Sequence, residues 1–424
     1  MNSENNGGEW RVLFPREAES FPDDDIGLDV ALLLAHIPTW TIRRVEKIRF
    51  VDDRTVRRQV SVDFTLPLDE PLSDRYENSY LIPLGLLRKA PLVGFDLRDE
   101  AGTAVPVLSR RENSLIAWSA AVAMGQRILG HPPADALSNV IRDIVSSDPA
   151  AALAALDSMR ASEDPDFRAL ISTPAFTELL DDLAKNFLLL TPVPFHRGRR
   201  RIMKFSYLEA VHLETFTLAQ RLGLESAPIK FALPAVDDAE SFHLEVDAPA
   251  GMDVFEAQIV EVDEDGNEVS ELAYEGDRGG RSHLYPSDIE AGATAEARIW
   301  LLPVTRGFVR ASLFFAIAVT AMLVSLLFVS PEEGERSGPT LLLALPGVVG
   351  LFISKPGENA MTSRLLLGLR GIVSLVGFLP FVGAVLLVLD IGSHIRDRLW
   401  IGLTIAAAVA LIVIARAYVV SRQP

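Results

Sequence analysis

Two histidines and a glutamate are the side chains whose types and spacing are suited to chemistry. His243 and Glu245 alternate in the strand-like stretch SFHLEV, and His283 lies in SHLYP, within the same β-rich range. Imidazoles and carboxylates bind Zn²⁺ and exchange protons near neutral pH, so these residues form a candidate metal or acid–base site. Hydrogen-bonded structural histidines are the alternative. We therefore treat the three as a polar site and assign no catalytic residue and no metal.

No other motif predicts an enzyme or a cofactor. The sequence lacks a phosphate-binding glycine loop, G-x-G-x-x-G, G-x-S-x-G and HExxH. It has no cysteine, which excludes disulfides, thiolate catalysis and Cys-ligated metals. VDEDGNEVSE is close to a calcium loop, but its glycine stands fourth from Asp263 instead of sixth. A hairpin turn at 265–267 is predicted there instead.

Two stretches concentrate basic residues. They are HRGRRRIMK, His196 to Lys204, and TIRRVEKIRFVDDRTVRRQ, Thr41 to Gln59. Charged strand faces paired within the protein are one interpretation, and contact with phospholipid headgroups or another anion is the other. The residues of the first stretch predicted to contact lipid or an anion are Arg197, Arg199, Arg200, Arg201 and Lys204.

The charge balance argues against a nucleic-acid partner. The net charge is −17, and residues 308–424 hold only 9 of the 40 basic and 6 of the 57 acidic residues. Residues 1–307 therefore carry a net charge of −20. Such a field opposes nonspecific nucleic-acid binding, and it repels an anionic membrane unless basic residues gather on the membrane-facing side.

The pattern of apolar residues predicts a mixed α and β fold with four soluble segments. Residues 1–37 are polar at first and partly disordered, and 38–110 form a β-rich module in which Thr41–Val51 and Val60–Leu66 make a hairpin. A second hairpin is predicted over 92–109. Residues 111–195 form a helical insert whose helical pattern continues to Leu190, and 196–305 form an antiparallel β-sandwich module.

Residues 306–424 are predicted to be a membrane domain with four transmembrane helices. The first apolar stretch, Ala311 to Val329, is nineteen residues long without a charge. At about 1.5 Å per residue it matches a hydrocarbon core roughly 30 Å thick. The second stretch is short and contains Pro346, so it either crosses or re-enters. The predicted spans are about 311–329, 340–354, 371–389 and 399–415.

The charges beside these spans predict orientation. Eight Lys or Arg residues flank the ends that share one side, against three on the other side, so the positive-inside rule places both termini in the cytoplasm at the inner membrane of the cell. The N-terminal stretch MNSENNGGEWRV lacks a signal peptide's basic and apolar regions, which agrees with this expectation. The predicted membrane-interface anchors are Arg310, Arg370, Trp400, Arg416 and Tyr418.

Three functional hypotheses follow. Ionisable residues lie near the span ends instead of at mid-depth, which disfavours coupled ion transport. The preferred hypothesis is a membrane-tethered binding, sensing or adaptor module that contacts the lipid bilayer and either a protein partner or further copies of itself. Because glycines and prolines in the helices permit close packing and kinks, a self-assembling effector or gated pore is the alternative. A membrane-tethered enzyme is the weaker third.

Overall fold

The computed structural model describes residues 26–66, 79–194, 198–211, 217–226, 228–263, 267–286, 294–328, 337–355, 359–388 and 393–422. These residues form helices and three β-sheets, which confirms the mixed α and β fold class. The strands are β1 (Thr41–Phe50), β2 (Thr55–Thr65), β3 (Ser79–Arg88), β4 (Val93–Arg98), β5 (Asn186–Pro194), β6 (Arg200–Ala210), β7 (Pro228–Leu233), β8 (Ser241–Asp247), β9 (Met252–Val262), β10 (Glu268–Glu275), β11 (Arg281–Leu284) and β12 (Ala295–Pro303).

The largest sheet has six strands in the order β11-β8-β1-β2-β6-β4. β1 and β2 form the predicted antiparallel hairpin, with Phe50 opposite Val56. On its other side β1 runs parallel to β8, with Arg43 opposite Ser241. The six-stranded sheet thus takes strands from both predicted β-rich ranges, and their contact was beyond prediction.

A four-stranded antiparallel sheet, in the order β10-β9-β12-β7, packs on part of the six-stranded sheet. The two sheets share one apolar cluster in which Phe50, Phe231, Phe242 and Ile259 are buried. Alternation of apolar and polar residues produces this arrangement, because every second side chain of a strand points to the same face. In β8, for example, Phe242, Leu244 and Val246 are buried and the residues between them are half-exposed.

β3 and β5 form a two-stranded antiparallel sheet that lies between the helical layer and the six-stranded sheet. Alternate β3 residues separate the two cores: Leu81 packs with the helices, and Ile82 and Leu84 pack with the six-stranded sheet. The predicted continuation of the helix to Leu190 is wrong. The helix ends at Lys185, because residues 186–190 pair with β3 and place apolar side chains in both cores.

The helical insert is built from five helices over residues 110–185, and the helix Ile26–Ala35 packs against the first of them, Arg110–Leu129. Its Asp-Pro pairs, which the sequence marks as breaks, start helices: Asp148 and Asp164 each cap an N-terminus with proline next in line. The helices of the soluble region are α1 (Ile26–Ala35), α2 (Ile37–Trp40), α3 (Arg110–Leu129), α4 (Asp135–Ser146), α5 (Pro149–Arg160), α6 (Pro165–Ile171), α7 (Pro174–Lys185) and α8 (Leu218–Arg221).

The second predicted hairpin is reduced to one strand. β4 pairs with β6, and beyond the turn only an isolated bridge joins Ala104 to Arg98. Pro106 has no amide hydrogen to donate, so a continuous ladder cannot form there. The hairpin predicted around Asp263 is present as β9 and β10, and residues 264–266 lie outside the described residues.

Three C-terminal helices are long and apolar enough to cross a membrane, over Arg306–Phe328, Leu367–Val388 and His394–Val420. They correspond to the first, third and fourth predicted spans. The second predicted span forms a 17-residue helix with Pro346 inside it. The helices are α9 (Arg310–Phe328), α10 (Ser337–Ile353), α11 (Ala360–Leu365), α12 (Leu367–Val388) and α13 (Ser393–Val420).

Small residues let these helices pack closely. α10 packs mainly against α12, and α9 mainly against α13. A Cβ atom added to Gly350 would lie 3.1 Å from the Cα of Gly377 and 3.2 Å from the ring of Phe315, so the backbones nearly touch. The Trp400 ring fills the space at Gly383 in the same way. The described parts of α9, α10, α12 and α13 therefore form one packed bundle.

Candidate functional site

The basic stretch at 196–204 is divided between several environments. Arg200 starts β6 and forms a bidentate ion pair with the buried carboxylate of Asp63, with Nε 2.7 Å from Oδ1. Arg201 lies 3.7 Å from Glu100. Arg199 and Lys204 are exposed, and Arg197 lies outside the described residues. Two of the five predicted anion-contact residues are thus paired with carboxylates of the same protein.

The predicted polar site comes together on the outer face of the six-stranded sheet. His243 of β8 and His283 of β11 approach to 3.1 Å between Nδ1 and Nε2, and their rings are within 2° of parallel. With ring centroids 5.2 Å apart, this geometry is an in-plane hydrogen bond and not a face-to-face stack. Burial is the largest cause that lowers the pKa of His243, and the charges of His283 and Arg43 lower it further. Tyr285 packs against the ring of His243.

Glu245 does not complete a metal site with these histidines. Its carboxylate binds the Lys47 ammonium, 3.3 Å away on β1. Among the described residues, no group of three His, Cys, Asp or Glu side chains is arranged to hold a metal ion. The histidine pair is therefore a hydrogen-bonded unit on an exposed sheet face.

The predicted interface residues differ in exposure. Arg310 lies over the Phe314 ring at 5.5 Å, and Arg416 is exposed near the end of α13. Tyr418 lies under the guanidinium of Arg422. Arg370 and Trp400 are buried: Arg370 donates to the Ser363 hydroxyl and lies over the Phe308 ring, while Trp400 packs on Gly383.

A buried ion cluster, which the sequence did not reveal, lies on the inner face of the six-stranded sheet. It consists of Arg44 and Glu46 on β1 and Arg58 on β2, each at most 5% exposed. The Arg44 Nε donates to the Glu46 carboxylate at 2.9 Å, and the Arg58 Nε lies 3.6 Å from its second oxygen. Burial by itself would raise the pKa of Glu46, but Arg58 and Arg44 lower it below its ordinary value. The carboxylate is therefore held ionised.

The ion cluster connects all three sheets. Arg44 donates to the carbonyl of Leu84 on β3 at 3.1 Å, and Arg58 donates to the carbonyl of Ala232 on β7 at 2.7 Å. Gly85 makes room for the Arg44 guanidinium, because a Cβ there would lie 3.3 Å from Nη1 and its φ of +146° is unfavourable for other residues. These hydrogen bonds fix the relative positions of the sheets.

Two half-buried carboxyls lie between the helical insert and the β-sheets. Burial and the neighbouring Asp237 raise the pKa of Asp238 to about 7. Burial raises the pKa of Asp182, near the end of α7, to about 6. Arg44 opposes the shift at Asp238, while Asp182 and Glu46 add to it. This region therefore exchanges protons close to neutral pH.

The β-sheets are fastened to the membrane helices by a joint centred on Arg278, in the loop after β10. Its guanidinium donates to Asp253 at 3.0 Å, to the carbonyl of Pro303 at 2.8 Å and to the carbonyl of Ser421. Pro303 ends β12 before the first span, and Ser421 follows α13. One side chain therefore holds the exit of the β-sheets against the end of the last helix.

A second part of the joint is α11, between α10 and α12. Met361 is fully buried in the core shared by the two larger sheets, and Thr362 donates to the carbonyl of Ala250 at 2.7 Å. Arg364 reaches Asp53, in the β1–β2 turn, at 3.5 Å. The β-sheets thus contact the helical bundle at two separate places, the end of α13 and the segment between α10 and α12. These two contacts leave the β-sheets little freedom to rotate against the bundle.

No protein-family model matches the chain, and no curated protein sequence matches it. The structure has three helices long and apolar enough to cross a bilayer and a β-rich region of mixed α and β structure, the features expected of a membrane protein.

Proposed function

We propose that the chain is an integral protein of the inner cell membrane whose β-rich region is a cytoplasmic binding and sensing module. The observation that carries this proposal is the joint at Arg278, which links a loop of the β-sheets directly to the end of the last helix. A tether that only recruits a partner needs no such contact. A module that transmits a bound state to the bilayer requires a stiff connection, because a ligand shifts an equilibrium only through differential contacts.

Several features support four crossings with the β-sheets on the cytoplasmic side. α9 starts beside the β-sheets, and α12 also starts there, since a Cβ on Gly368 would lie 2.6 Å from the Arg221 carbonyl oxygen. The chain must therefore return between Phe328 and Leu367. α10 is the longer of the two described helices in that interval, and its 17 residues rise about 25 Å, close to the hydrocarbon thickness when flanking residues snorkel.

The basic residues support the cytoplasmic assignment. Lys355, Arg364 and Arg422 lie at the end of the bundle that contacts the β-sheets, and the positive-inside rule associates that excess with the cytoplasm. A reporter enzyme that is active only in the cytoplasm should be active when it is fused after residue 424, and a reporter that is active only outside the cytoplasm should be inactive there. Activity solely outside the cytoplasm would contradict this topology.

Proteins are the proposed partners, because the charge of −20 on residues 1–307 disfavours nucleic acid. The test is cross-linked affinity purification of the full chain from native membranes, followed by mass spectrometry. A distinct partner in stoichiometric amount, lost when residues 1–307 are removed, is the expected result. Its retention by the helices alone would contradict a binding role for the β-rich region.

Coupling is tested separately from binding with Arg278→Gln. This variant should retain the partner but lose any partner-induced change in the hydrogen exchange of α13. Arg281→Gln is the matched control, since Arg281 is an exposed arginine three positions away that pairs with Asp247 on β8. If the partner changes the hydrogen exchange of α13 equally in the two variants, Arg278 does not transmit the bound state. The β-rich region would then recruit a partner without sensing it.

A self-assembling effector is the second candidate, and the outer face of α10 favours it. Leu345, Val348 and Phe352 recur at helical spacing and are all strongly exposed on the isolated chain. Lipid or another copy of the chain would cover them. Recovery of only a defined oligomer, with loss of membrane potential on induction that disappears when 308–424 are deleted, would support this candidate.

A further inference from the structure

A group of apolar and basic side chains lies beside the end of the helical bundle that contacts the β-sheets. Leu218, in the short helix α8, is 73% exposed, more than any other large apolar side chain of the soluble region that the structure describes. Val51, in the β1–β2 turn, is 49% exposed. Arg221 and Arg54 are the exposed arginines beside them. We refer to these four residues as the interfacial surface.

The level of Leu218 relative to the bilayer is fixed by its neighbours in the chain. α8 packs against α11 and against the start of α12. A Cβ on Gly223 would lie 4.0 Å from the Cβ of Ala417, and Leu224 packs into the apolar cluster of the helical bundle. Ala417 lies near the end of the last span and Gly368 near the start of the one before it. Residues 218–224 therefore lie at the depth where the spans leave the hydrocarbon.

The β1–β2 turn lies at the same level. Arg364 of α11 reaches Asp53 of this turn, and the carbonyl of Arg54 accepts a hydrogen bond from the Val211 amide at 2.7 Å, just after β6. Two acids of the turn have partners: Asp53 pairs with Arg364, and Asp52 accepts a hydrogen bond from the Arg54 amide. Glu225 is exposed four positions after Arg221. The turn thus adds Val51 and Arg54 to the surface that α8 begins.

Two further arginines next to the turn indicate an anionic ligand. Arg49 and Arg57 are directly opposite each other on β1 and β2, and among the described residues no carboxylate forms an ion pair with either. Like charges at opposed strand positions repel, and an anion between or beside them removes that repulsion. The soluble region as a whole is strongly acidic, so this basic group stands out against its surroundings.

We propose that the interfacial surface lies in the bilayer boundary, with Leu218 and Val51 among the first acyl carbons and Arg54 and Arg221 on the phosphates of anionic lipids. The proposal rests on the spans of the proposed function. Exposed apolar residues alternating with arginines are the composition of an interfacial contact. This contact would be a third attachment of the β-sheets to the membrane, besides the joint and the spans, and would orient them toward anionic lipid.

The absence of cysteine makes the test direct. Leu218→Cys and Val51→Cys are made in the full chain, spin-labelled, and reconstituted in vesicles of phosphatidylcholine with or without phosphatidylglycerol. Collision with oxygen and with a water-soluble nickel chelate then reports depth. Phe378→Cys, on an exposed position of α12, is the lipid reference, and Val269→Cys, exposed on β10, is the water reference. We expect the Leu218→Cys label to follow the lipid reference when phosphatidylglycerol is present.

Neutralising the arginines tests the lipid charge. With Arg54→Gln and Arg221→Gln added, the ratio of shielded to water-exposed Leu218→Cys label should fall about fivefold per arginine in phosphatidylglycerol vesicles and change little in pure phosphatidylcholine. A Leu218→Cys label as open to nickel as the water reference would overturn the proposal and leave this surface to a protein. A Phe378→Cys label open to nickel would instead contradict the spans themselves.

Discussion

Arg278 and Ser421 are 143 positions apart in the sequence, yet the Arg278 guanidinium donates a hydrogen bond to the Ser421 carbonyl. Together with the bonds to Asp253 and Pro303, this contact makes Arg278 the common support of the β-sheets and the last helix. Replacing Arg278 by a residue without a guanidinium leaves the carbonyls of Pro303 and Ser421 and the carboxylate of Asp253 without this donor.

We expect Arg278→Gln to loosen the joint while the sheets stay folded. Charged hydrogen bonds of this kind stabilise by about 1.5–3 kcal/mol each, so amide exchange should rise selectively near the end of α13. Exchange measured by mass spectrometry in nanodiscs checks this, with Arg281→Gln as the control. Unchanged protection near Ser421 would mean that Arg278 does not hold the helix.

Glu46→Gln should strongly destabilise the soluble region. The change removes the carboxylate that the buried Arg44 and Arg58 share and leaves Arg58 with Glu209, 3.4 Å away. Breaking a buried ion pair from one side costs about 3–5 kcal/mol. Arg49→Gln, on the exposed face of the same strand, should change stability by less than about 0.5 kcal/mol. Urea unfolding followed by tryptophan fluorescence distinguishes the two. Equal stabilities would show that the cluster contributes little to the fold.

Gly85→Ala should destabilise more than Gly102→Ala. Both glycines have positive φ, but a methyl group at Gly85 also meets the Arg44 guanidinium, whereas the space around Gly102 is open. Backbone strain costs about 1–3 kcal/mol, and the crowded site adds the displacement of Arg44. The difference in unfolding midpoint between the variants isolates the crowding. A larger loss at Gly102 would contradict the fit at Gly85.

The pH dependence of stability should carry the signature of Asp238. Its folded pKa of about 7 lies above its ordinary value of 3.8, so the folded protein binds more protons than the unfolded chain between these pH values. Stability contributed by the protonated carboxyl is therefore lost as the pH rises from about 4 to 7. Asp238→Asn should be more stable than the parent at pH 8, by on the order of 1 kcal/mol, and nearly equal at pH 4.

The control for this titration is Asp157→Asn, since Asp157 is exposed on α5. Melting temperatures of the three proteins across pH 4–8 give the comparison. A constant difference between Asp238→Asn and the parent over this range would exclude a raised pKa at Asp238.

Gly377→Ile should disrupt the helical bundle, and Gly371→Ile on the same helix should not. A Cβ on Gly377 would lie 3.0 Å from the Pro346 carbonyl oxygen and 3.1 Å from Gly350, whereas Gly371 has no atom within 4 Å. Overpacking of this type costs about 1–3 kcal/mol. Thermal unfolding in detergent measures it. Equal effects of the two changes would indicate that α10 and α12 do not pack in this way.

The sequence pattern predicted those strands and helices whose formation depends on neighbouring residues in the chain. The alternation in Val60–Leu66 gave the strand and, with Thr41–Val51, the hairpin, and uninterrupted apolar stretches gave three helices suited to cross a membrane. The Asp-Pro pairs were detected, although their role as helix starts depends on cap geometry. Residues 186–190 were missed because a run of leucines fits a helix or a strand until its partner is known.

The ion cluster and the joint were beyond prediction for physical reasons. Arg44, Glu46 and Arg58 read as a charged outer face, and only the packing of two other sheets buries them. Arg278 binds the carbonyls of Pro303 and Ser421, and every residue type offers a carbonyl, so no pattern marks the partner. His243 and His283 were recognised as candidates, but their hydrogen bond depends on the pairing of β11 with β8.

The parallel pairing of β1 with β8 constrains how the chain is synthesised. One edge of β1 has no partner until Ser241–Asp247 has left the ribosome, after the entire helical insert has been made. Open strand edges recruit other chains, so nascent molecules need protection during that interval. Synthesis of β8 ends at Asp247, before the helix that begins at Arg310 is made. The pairing of β8 with β1 and the delivery of the first apolar helix to the membrane-insertion machinery therefore occur close together in time.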